Sequence, residues 1–571
     1  MSKHTQPHLL TIAVEDYFQY TAMGNLIPET RWNRFESRIE NNTLRTLDLL
    51  DSHKTKATFF VLGWIADKMP EILLEISQRG HELASKGYYH KPIQRMLVEE
   101  FREDARRSRH AIEDASNRGV SGYRVAQGHF ALQDLWALDV LSEEGYSYDS
   151  SMYPRFRSIA SEPWRRFPHV VHSQSGDIWE MPLSTWGTNT FLLPAAGGNY
   201  FRQAPRVLVR KVFHQWATTY QSPFNMYFHI WELDPDLPDI SAVSWLTRIR
   251  MYRNIDKALD LYKELLTTYN FISIADHLQI RQYKLKKQNG NALKEGNGPP
   301  VQSAYTTEII KIESRDNPRQ DTRPRITIVI PCYNEELALP YLANTLKEVK
   351  SRFSKQWRLC FLLVDDGSSD STWDSIEKLF GNQPDYKAVR HLSNRGVAAA
   401  VLTGINEAET DIVCSIDCDC TYDPLQLESM LPLLKKDVSL VTASPYHPLG
   451  QVVNVPAWRL FLSKTLSRIY GTVLRHKLAT YTSCFRVYRR QAVVGLKLRH
   501  ENFLGIAELL ALLDLRGEKI VECPAVLEVR IFGVSKMKTL CTIFGHIGLV
   551  ARILCTRIRT GNKNSGIHSL R

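Results

Sequence analysis

No cysteine occurs before Cys332, although the chain has 571 residues and nine cysteines in all. An odd number without paired spacing argues against a disulfide framework and fits a reducing compartment. No apolar run has the length and purity of a membrane-spanning helix; the nearest, from Thr539 to Cys555, is interrupted by His546 and Arg552. The first residues pass straight into Leu9-Leu-Thr-Ile-Ala-Val14, with too short an apolar core and no small-residue cleavage site for a secretory signal, so a cytoplasmic protein is expected. Acid is missing from the end. From Ser535 onward there are Lys536, Lys538, Arg552, Arg557, Arg559, Lys563 and Arg571, and no Asp or Glu. That stretch suits either the surface of an anionic bilayer or a core-packed final helix with a solvated tail.

What is present is ordinary globular material: 43% apolar residues, 23% charged, and enough length for two or more cores. The net charge of +11 calls for an anionic partner, which composition leaves open among nucleic acid, a membrane surface and a phosphorylated substrate. Residues 283–324 turn polar, with Lys284-Leu-Lys-Lys287, Asn297-Gly-Pro-Pro300 and Asp316-Asn-Pro-Arg319, and read as a flexible linker. Its acidic Glu295, Glu308, Glu313, Asp316 and Asp321 argue against a nucleic-acid-binding arm.

Three pieces after the linker organise the rest. They are Ile328-Val-Ile-Pro331-Cys-Tyr333-Asn-Glu335, Leu363-Val-Asp-Asp366-Gly-Ser-Ser-Asp370-Ser371-Thr372, and Ser415-Ile-Asp417-Cys-Asp419. Each is a buried-strand run that ends abruptly in acidic, amide or hydroxyl groups before a helix-like segment. In an open parallel sheet such strand ends meet at one crevice, where the ligand binds. Asp417 and Asp419, two apart, would project on one side of an extended strand end, the arrangement that holds a hard divalent cation through oxygen. A pair of solvated turn carboxylates is the alternative. Asp370 or Ser371 can also cap the helix expected near Thr372.

The ordered series resembles the family-2 glycosyltransferases, closest to the dolichol-phosphate-mannose-synthase type. The resemblance covers roughly the last 250 residues. It implies a GT-A (Rossmann-like) fold and transfer of a sugar from a UDP- or GDP-linked donor to a polyprenyl phosphate or glycan. It also implies Mg2+ or Mn2+ on Asp417 and Asp419, with Asp419 the first choice, and a nucleotide-sugar pocket of Pro331, Tyr333, Glu335, Asp366, Asn394 and Gly396. Further family segments are Ser483-Cys484-Phe485-Arg486, Gly505-Ile-Ala-Glu508 and Arg530-Ile-Phe-Gly-Val-Ser535-Lys536. From these, Ser483, Arg486, Arg530 and Lys536, with Arg459, are expected at the acceptor phosphate. Glu508 is the first suspect for a base if the acceptor is a hydroxyl, and is otherwise structural.

The first region, to about Leu285, mixes short apolar strands with helices; 58–62 and 271–274 read as strands and 255–267 as an amphipathic helix. Val14-Glu15-Asp16-Tyr17-Phe18, Lys56-Ala-Thr-Phe-Phe-Val-Leu-Gly63, Gly80-His-Glu-Leu-Ala-Ser85, Tyr148-Asp-Ser-Ser151, Glu180-Met-Pro-Leu-Ser184 and Tyr227-Phe-His229-Ile-Trp-Glu232 resemble the polysaccharide deacetylases. They are most similar to the subgroup found with exosortase loci. A deformed (β/α) barrel is implied. The family holds a metal with one Asp and two His, and uses a second Asp as base and a distant His as acid. Its usual Asp-Val-Glu-Asp is Ala13-Val14-Glu15-Asp16 here. Its usual Ser-His-Gly-Tyr-x-His is Ser85-Lys86-Gly87-Tyr88-Tyr89-His90, and its Tyr-Arg-Ala-Pro-Ser is Tyr123-Arg124-Val125-Ala126-Gln127. A lysine ammonium has no lone pair for a metal. The expectation is a degenerate domain with Asp16, His90, Arg124 and His229 as remnants, and an altered Glu15/Asp16/His90 site as the alternative. The expected domains are 1–282 deacetylase-like, 283–324 linker, 325–538 transferase, and 539–571 a basic amphipathic segment making peripheral contact with the inner membrane face.

Overall fold

In the computed structural model the described residues are 6–24, 26–154, 162–173, 175–188, 191–280, 323–455, 457–533 and 545–557. The chain opens on β1 (His8–Val14), buried along its whole length because parallel strands flank it on both sides. It is followed by β2 (Thr58–Val61), β3 (Glu82–Ser85), β4 (Gly122–Tyr123), β5 (Tyr148–Asp149), β6 (His169–Ser173) and β7 (Gly176–Glu180). After a separate hairpin of β8 (Thr185–Thr188) and β9 (Phe191–Pro194) come β10 (Asn225–His229) and β11 (Phe271–Ile272). The sheet order is β10-β1-β2-β3-β4-β5-β7-β6, with β11 also on β1, and only β6 runs antiparallel to its neighbour.

The sheet curls without closing its ladder, in keeping with the deformed barrel expected. The gap is bridged by buried side chains: Asn225 Nδ2 donates to the carbonyls of Met181 (2.9 Å) and Pro182 (3.2 Å) and to Ser150 Oγ (3.2 Å), and Ser184 Oγ accepts from Asn225 N (2.8 Å). Arg124 braces the interior. Its guanidinium donates to Thr11 Oγ1 (2.9 Å), Ser150 Oγ (2.8 Å) and Ser150 O (3.1 Å) and lies 4.1 Å from the Phe60 ring centroid. Its expected place among the site remnants is therefore corrected: all three nitrogens are taken up by the barrel wall. The strand expected over 271–274 is also shorter. Ser273 Oγ accepts from Asp276 N (3.0 Å) and starts a helix, Ile274–Leu278. The helix expected over 255–267 divides into a 3-10 turn, Ile255–Lys257, and an α-helix, Ala258–Thr268.

The C-terminal unit contains β12 (Arg325–Cys332), β13 (Arg358–Asp365), β14 (Tyr386–Arg390), β15 (Ile412–Ser415), β16 (Leu440–Ser444), β17 (Gln451–Val453), β18 (Arg486–Arg489), β19 (Ile520–Pro524) and β20 (Val526–Glu528). The main sheet runs β14-β13-β12-β15-β18-β16-β19, parallel except that β18 opposes both neighbours, while β17 and β20 form a small parallel ribbon. This is the mixed α/β arrangement expected of a GT-A unit. Helices Leu339–Phe353, Thr372–Phe380 and Val397–Glu407 alternate with the first strands. Asp370 Oδ1 accepts from Thr372 N (3.0 Å), so of the two capping candidates the structure uses Asp370.

The linker expected at 283–324 lies almost wholly outside the described residues. The two units nevertheless pack together: Phe35 lies 4.9 Å from Tyr341 and 5.9 Å from Phe532, centroid to centroid, and Ala338, Tyr341, Ile531 and Phe532 join the apolar core of the N-terminal unit. The 545–557 helix is core-packed. Leu549 and Ile553 are buried in the C-terminal core, Tyr470 Oη and His546 Nδ1 lie 2.8 Å apart, and Arg557 donates to Val473 O (2.6 Å). For these residues the structure takes the core-packed alternative; 558–571 are outside the described residues.

Candidate active site

The register of the C-terminal sheet gathers the acidic strand ends. Cys332 pairs with Asp365 across β12 and β13, Asp366 N donates to Cys332 O (2.8 Å), and Ile416 N donates to Val329 O (3.1 Å). Pro331, Tyr333, Glu335, Asp366, Asp417 and Asp419 thereby come to one end of the sheet. β15 stops at Ser415, so Asp417 and Asp419 sit on a turn rather than on an extended strand end: Cys420 N donates to Asp417 O (3.1 Å) and Cys420 has φ 53°.

Arg530 reaches into this crevice. Its Nε is 2.6 Å from Asp419 Oδ2 and its Nη1 is 3.0 Å from Glu335 Oε1, while Asp419 Oδ1 accepts from Thr421 N (3.0 Å). Burial opposes the guanidinium charge, but Asp419 and Glu335 outweigh it and raise its pKa. Burial and then the Asp419 charge push the Asp417 carboxyl up to about 7. Two carboxylates and Glu335 share one arginine, so the crevice is short of positive charge. A divalent cation with hard oxygen ligands fits Asp417 and Asp419. Among the described residues no three ligand-type side chains are gathered for a metal, so other oxygens, such as those of a diphosphate, would have to complete the shell.

Several expected contacts lie elsewhere. Asp366 is 2% exposed and its carboxylate accepts from His391 Nδ1 (2.7 Å), Asn394 Nδ2 (3.1 Å), Arg395 N (2.9 Å) and Gly396 N (2.7 Å). It holds the 391–396 loop from beneath, and it takes up the Arg395 and Gly396 amides at the start of the following helix. Gly396 has φ 113°, and a Cβ there would stand 2.5 Å from Glu501 O, so only glycine fits this loop. His391 was not foreseen; a lone histidine at a strand end carries no signal by itself.

Arg486 is corrected outright. It is fully buried, donating to Ile506 O (2.8 Å) and Tyr481 O (2.8 Å), and cannot meet an acceptor phosphate from there. The Arg486→Met variant is expected to lose about 2–6 kcal/mol of stability, at about 1–3 for each stranded carbonyl. Denaturant melts would show this, whereas kcat per folded molecule should stay near wild type. Ser483 is buried as well, with its Oγ accepting from Phe485 N (3.2 Å). Glu508 Oε2 accepts from Arg499 N (3.1 Å), His500 N (2.9 Å) and His500 Nδ1 (2.9 Å), which favours its structural alternative. The Arg459 side chain and Lys536 lie outside what is described.

In the N-terminal unit Glu15, not Asp16, points into the remnant site. Asp16 turns away, accepting from Tyr17 N (3.0 Å) and Arg38 N (2.9 Å) at the start of a 3-10 helix. The Glu15 carboxylate is 0% exposed and stands among Lys86 Nζ, with which it forms a salt bridge, His90 Nε2 (3.2 Å) and His229 Nδ1 (2.7 Å). Lys86 Nζ also donates to Ala126 O (2.9 Å). Burial opposes ionisation of Glu15, yet the Lys86 charge and the two histidines hold it well below the usual carboxylate range. An ammonium therefore stands at the centre of the residues that would have to ligate a metal, and those residues do not fit one. A cavity of about 970 Å3, lined in part by Trp32, Tyr88, Tyr89, His90 and Arg95, adjoins this cluster.

Comparison with known proteins follows this division. Residues 30–148 match the polysaccharide deacetylase family, 150–279 a domain of unknown function, DUF3473, and 327–495 glycosyl transferase family 2. The dolichol-phosphate mannosyltransferase of Pyrococcus furiosus is 27% identical over 235 residues, 40% of this chain and 64% of its own length. The polyprenol monophosphomannose synthase of Mycolicibacterium smegmatis is 29% identical over 223 residues, 37% of this chain and 81% of its own. A glucosyl-3-phosphoglycerate synthase from Mycobacterium tuberculosis, solved with Mn2+ and UDP, aligns with a TM-score of 0.32 and 17% identity over 41% of this chain and 80% of its own. The chain is thus a fusion, with a polysaccharide-deacetylase domain in its N-terminal half and a family-2 glycosyltransferase domain in its C-terminal half.

Proposed function

We propose that the chain transfers a sugar, with inversion, from a UDP- or GDP-linked donor to a polyprenyl phosphate in surface-polysaccharide assembly. The observation that carries this is the crevice of Asp417, Asp419 and Glu335 with Arg530 lodged between two of them. Asp417 and Asp419 would hold Mg2+ or Mn2+, which when bound neutralises the leaving diphosphate as the glycosidic bond breaks. Arg530 can exchange its carboxylates for phosphate oxygens, for which a guanidinium fork is suited. Pro331, Tyr333 and Glu335 line the nucleoside side, and Asp366, Asn394 and Gly396 set the loop beside it. A phosphate acceptor is already a nucleophile at neutral pH and requires no base, in keeping with a Glu508 that is committed to the 499–500 backbone. The activities of the archaeal and mycobacterial relatives support the lipid acceptor over a glycan.

The deacetylase-like domain does not deacetylate in this reading, because Lys86 holds the metal position; its cavity beside His90, with Trp32, Tyr88 and Tyr89, suits a carbohydrate. Membrane contact is assigned to helix Ala457–Val473, which exposes Trp458 (53%), Phe461 (69%) and Leu462 beside Lys464 and Arg468. No helix among the described residues is long and apolar enough to cross a membrane. The deciding experiment incubates purified protein with a panel of UDP and GDP sugars, polyprenyl phosphate, and Mg2+ or Mn2+. Labelled lipid is expected; donor hydrolysis without lipid product would reject the acceptor. Phe461→Glu should lower sedimentation with anionic phospholipid vesicles several-fold and leave donor hydrolysis unchanged.

A further inference from the structure

We infer that the deacetylase-like domain is a clamp on the transferase site, with Arg31 and Arg34 as positioning residues for Asp419 and Arg530; the inference rests on the transferase reading above. Both arginines lie on one 3-10 helix, Glu29–Arg34, of the N-terminal domain. Arg31 forks onto Glu528: its Nη2 is 2.6 Å from Oε1 and its Nη1 binds Oε2. Arg34 places Nη1 2.8 Å from Asp423 Oδ2 and Nε 2.7 Å from Glu348 Oε2, with only 5% of its side chain exposed.

The partners of these arginines are where the inference gains its force. Asp423 closes the turn that begins at Asp417 and caps the 3-10 helix Pro424–Gln426 through Leu425 N (3.0 Å). Glu528 ends β20, donates its amide to Thr421 O (2.9 Å), and precedes Arg530 by two residues. One short helix therefore grips the loop that carries Asp419 and the loop that carries Arg530. The second loop is fastened again just beyond Arg530: Ser241 of the N-terminal domain donates its amide (2.9 Å) and its hydroxyl (3.1 Å) to Ile531 O, and Ile240 bridges Phe532 in antiparallel fashion. Phe532 then packs on Phe35, the residue that follows Arg34.

The chemistry supplies the reason for such a clamp. Arg530 and Asp419 meet through a 2.6 Å contact between two loops, and neither loop is part of the seven-stranded sheet at that point. Charge groups that must meet a diphosphate act only when held close to their working positions, and a displacement of about 1 Å can lower a rate ~100-fold. Within the transferase domain the two loops are joined by the Glu528–Thr421 hydrogen bond and the Tyr422–Leu527 bridge, and Arg31, Arg34, Ser241 and Phe35 add the constraint from outside it.

The test uses the full-length chain and two readouts. In Arg31→Ala/Arg34→Ala, amide hydrogen exchange at 417–423 and 526–533 is expected to accelerate at least tenfold, with 326–332 and 359–365 unchanged. Transfer kcat should fall by about tenfold to 100-fold. The single charge reversal Arg31→Glu should reproduce both effects, and adding Glu528→Arg should restore them, which a loss of general stability would not do. Unchanged exchange at both loops in natively melting protein would overturn the inference, as would failure of the reversed pair to recover. Exchange needs no substrate, so a wild type that turns over no nucleotide sugar would sink the transferase reading and leave the clamp decided by the first readout alone.

Discussion

Asp419→Ala is expected to lower kcat for sugar transfer by ~100-fold to 1,000-fold, equivalent to about 2.7–4 kcal/mol of transition-state stabilisation. Three effects add in the same direction. The variant removes the first-choice ligand for the divalent cation. It releases Arg530, whose Nε contact to Asp419 at 2.6 Å is the shorter of its two ion pairs. It also frees the Thr421 amide, which Asp419 Oδ1 accepts and which helps to set the turn. Stimulation of nucleotide binding by Mn2+ should disappear with the rate, and calorimetric titration of UDP or GDP with and without Mn2+ measures this directly. The far-UV spectrum and melting point should stay near wild type, because Asp419 sits on a turn outside the β-ladder. Transfer at an undiminished rate would reject the cation site and leave the pair as structural turn carboxylates, with Asp419 held by Arg530.

Lys86→Ala is expected to destabilise the N-terminal domain by about 3–5 kcal/mol, the usual penalty for removing one partner of a buried ion pair and stranding the other. Glu15 is 0% exposed, so it cannot recover water; it keeps only His90 and His229 as polar neighbours. Glu15→Gln/Lys86→Ala should recover most of the loss, since no charge is then left unpaired. Denaturant melts of the wild type, both single variants and the double variant give the coupling. The same pair carries the expectation about chemistry: wild-type protein should release no acetate from N-acetylglucosamine oligomers with Zn2+, Co2+ or Mn2+ present. Acetate release that vanished in Glu15→Gln would restore a working hydrolase and overturn the reading of Lys86 as the occupant of the metal position.

Much of the architecture could be read from local patterns. Buried runs that end in Asp, Asn and Ser mark the carboxyl ends of β12, β13 and β15, because a parallel strand covered on both faces must be apolar until it emerges at the crevice. Lys86 in place of His could be read as a mismatch with a metal, since an ammonium cannot donate a lone pair, but its pairing with Glu15 could not. Motif matching placed Arg486 and Ser483 at an acceptor phosphate and Asp366 on the nucleotide. It could not see that these polar groups are answered from within. Arg486 is taken by two carbonyls and Asp366 by four donors of the 391–396 loop. Polar residue type shows that a partner is required, whereas only the fold shows whether that partner is a ligand or the backbone.

The sequence by itself determined the two domain types, their order, and the acidic set from which a cation site can be built. Those properties follow from short-range patterning and from residue chemistry. The tertiary structure decided which carboxylate enters the remnant site, Glu15 rather than Asp16, because that choice depends on how a 3-10 helix leaves β1. It also decided that the domains meet through Arg31, Arg34 and Phe532. Those partners lie about 300–500 positions apart in the chain, and no local pattern encodes a contact whose two halves are brought together only when both cores have formed.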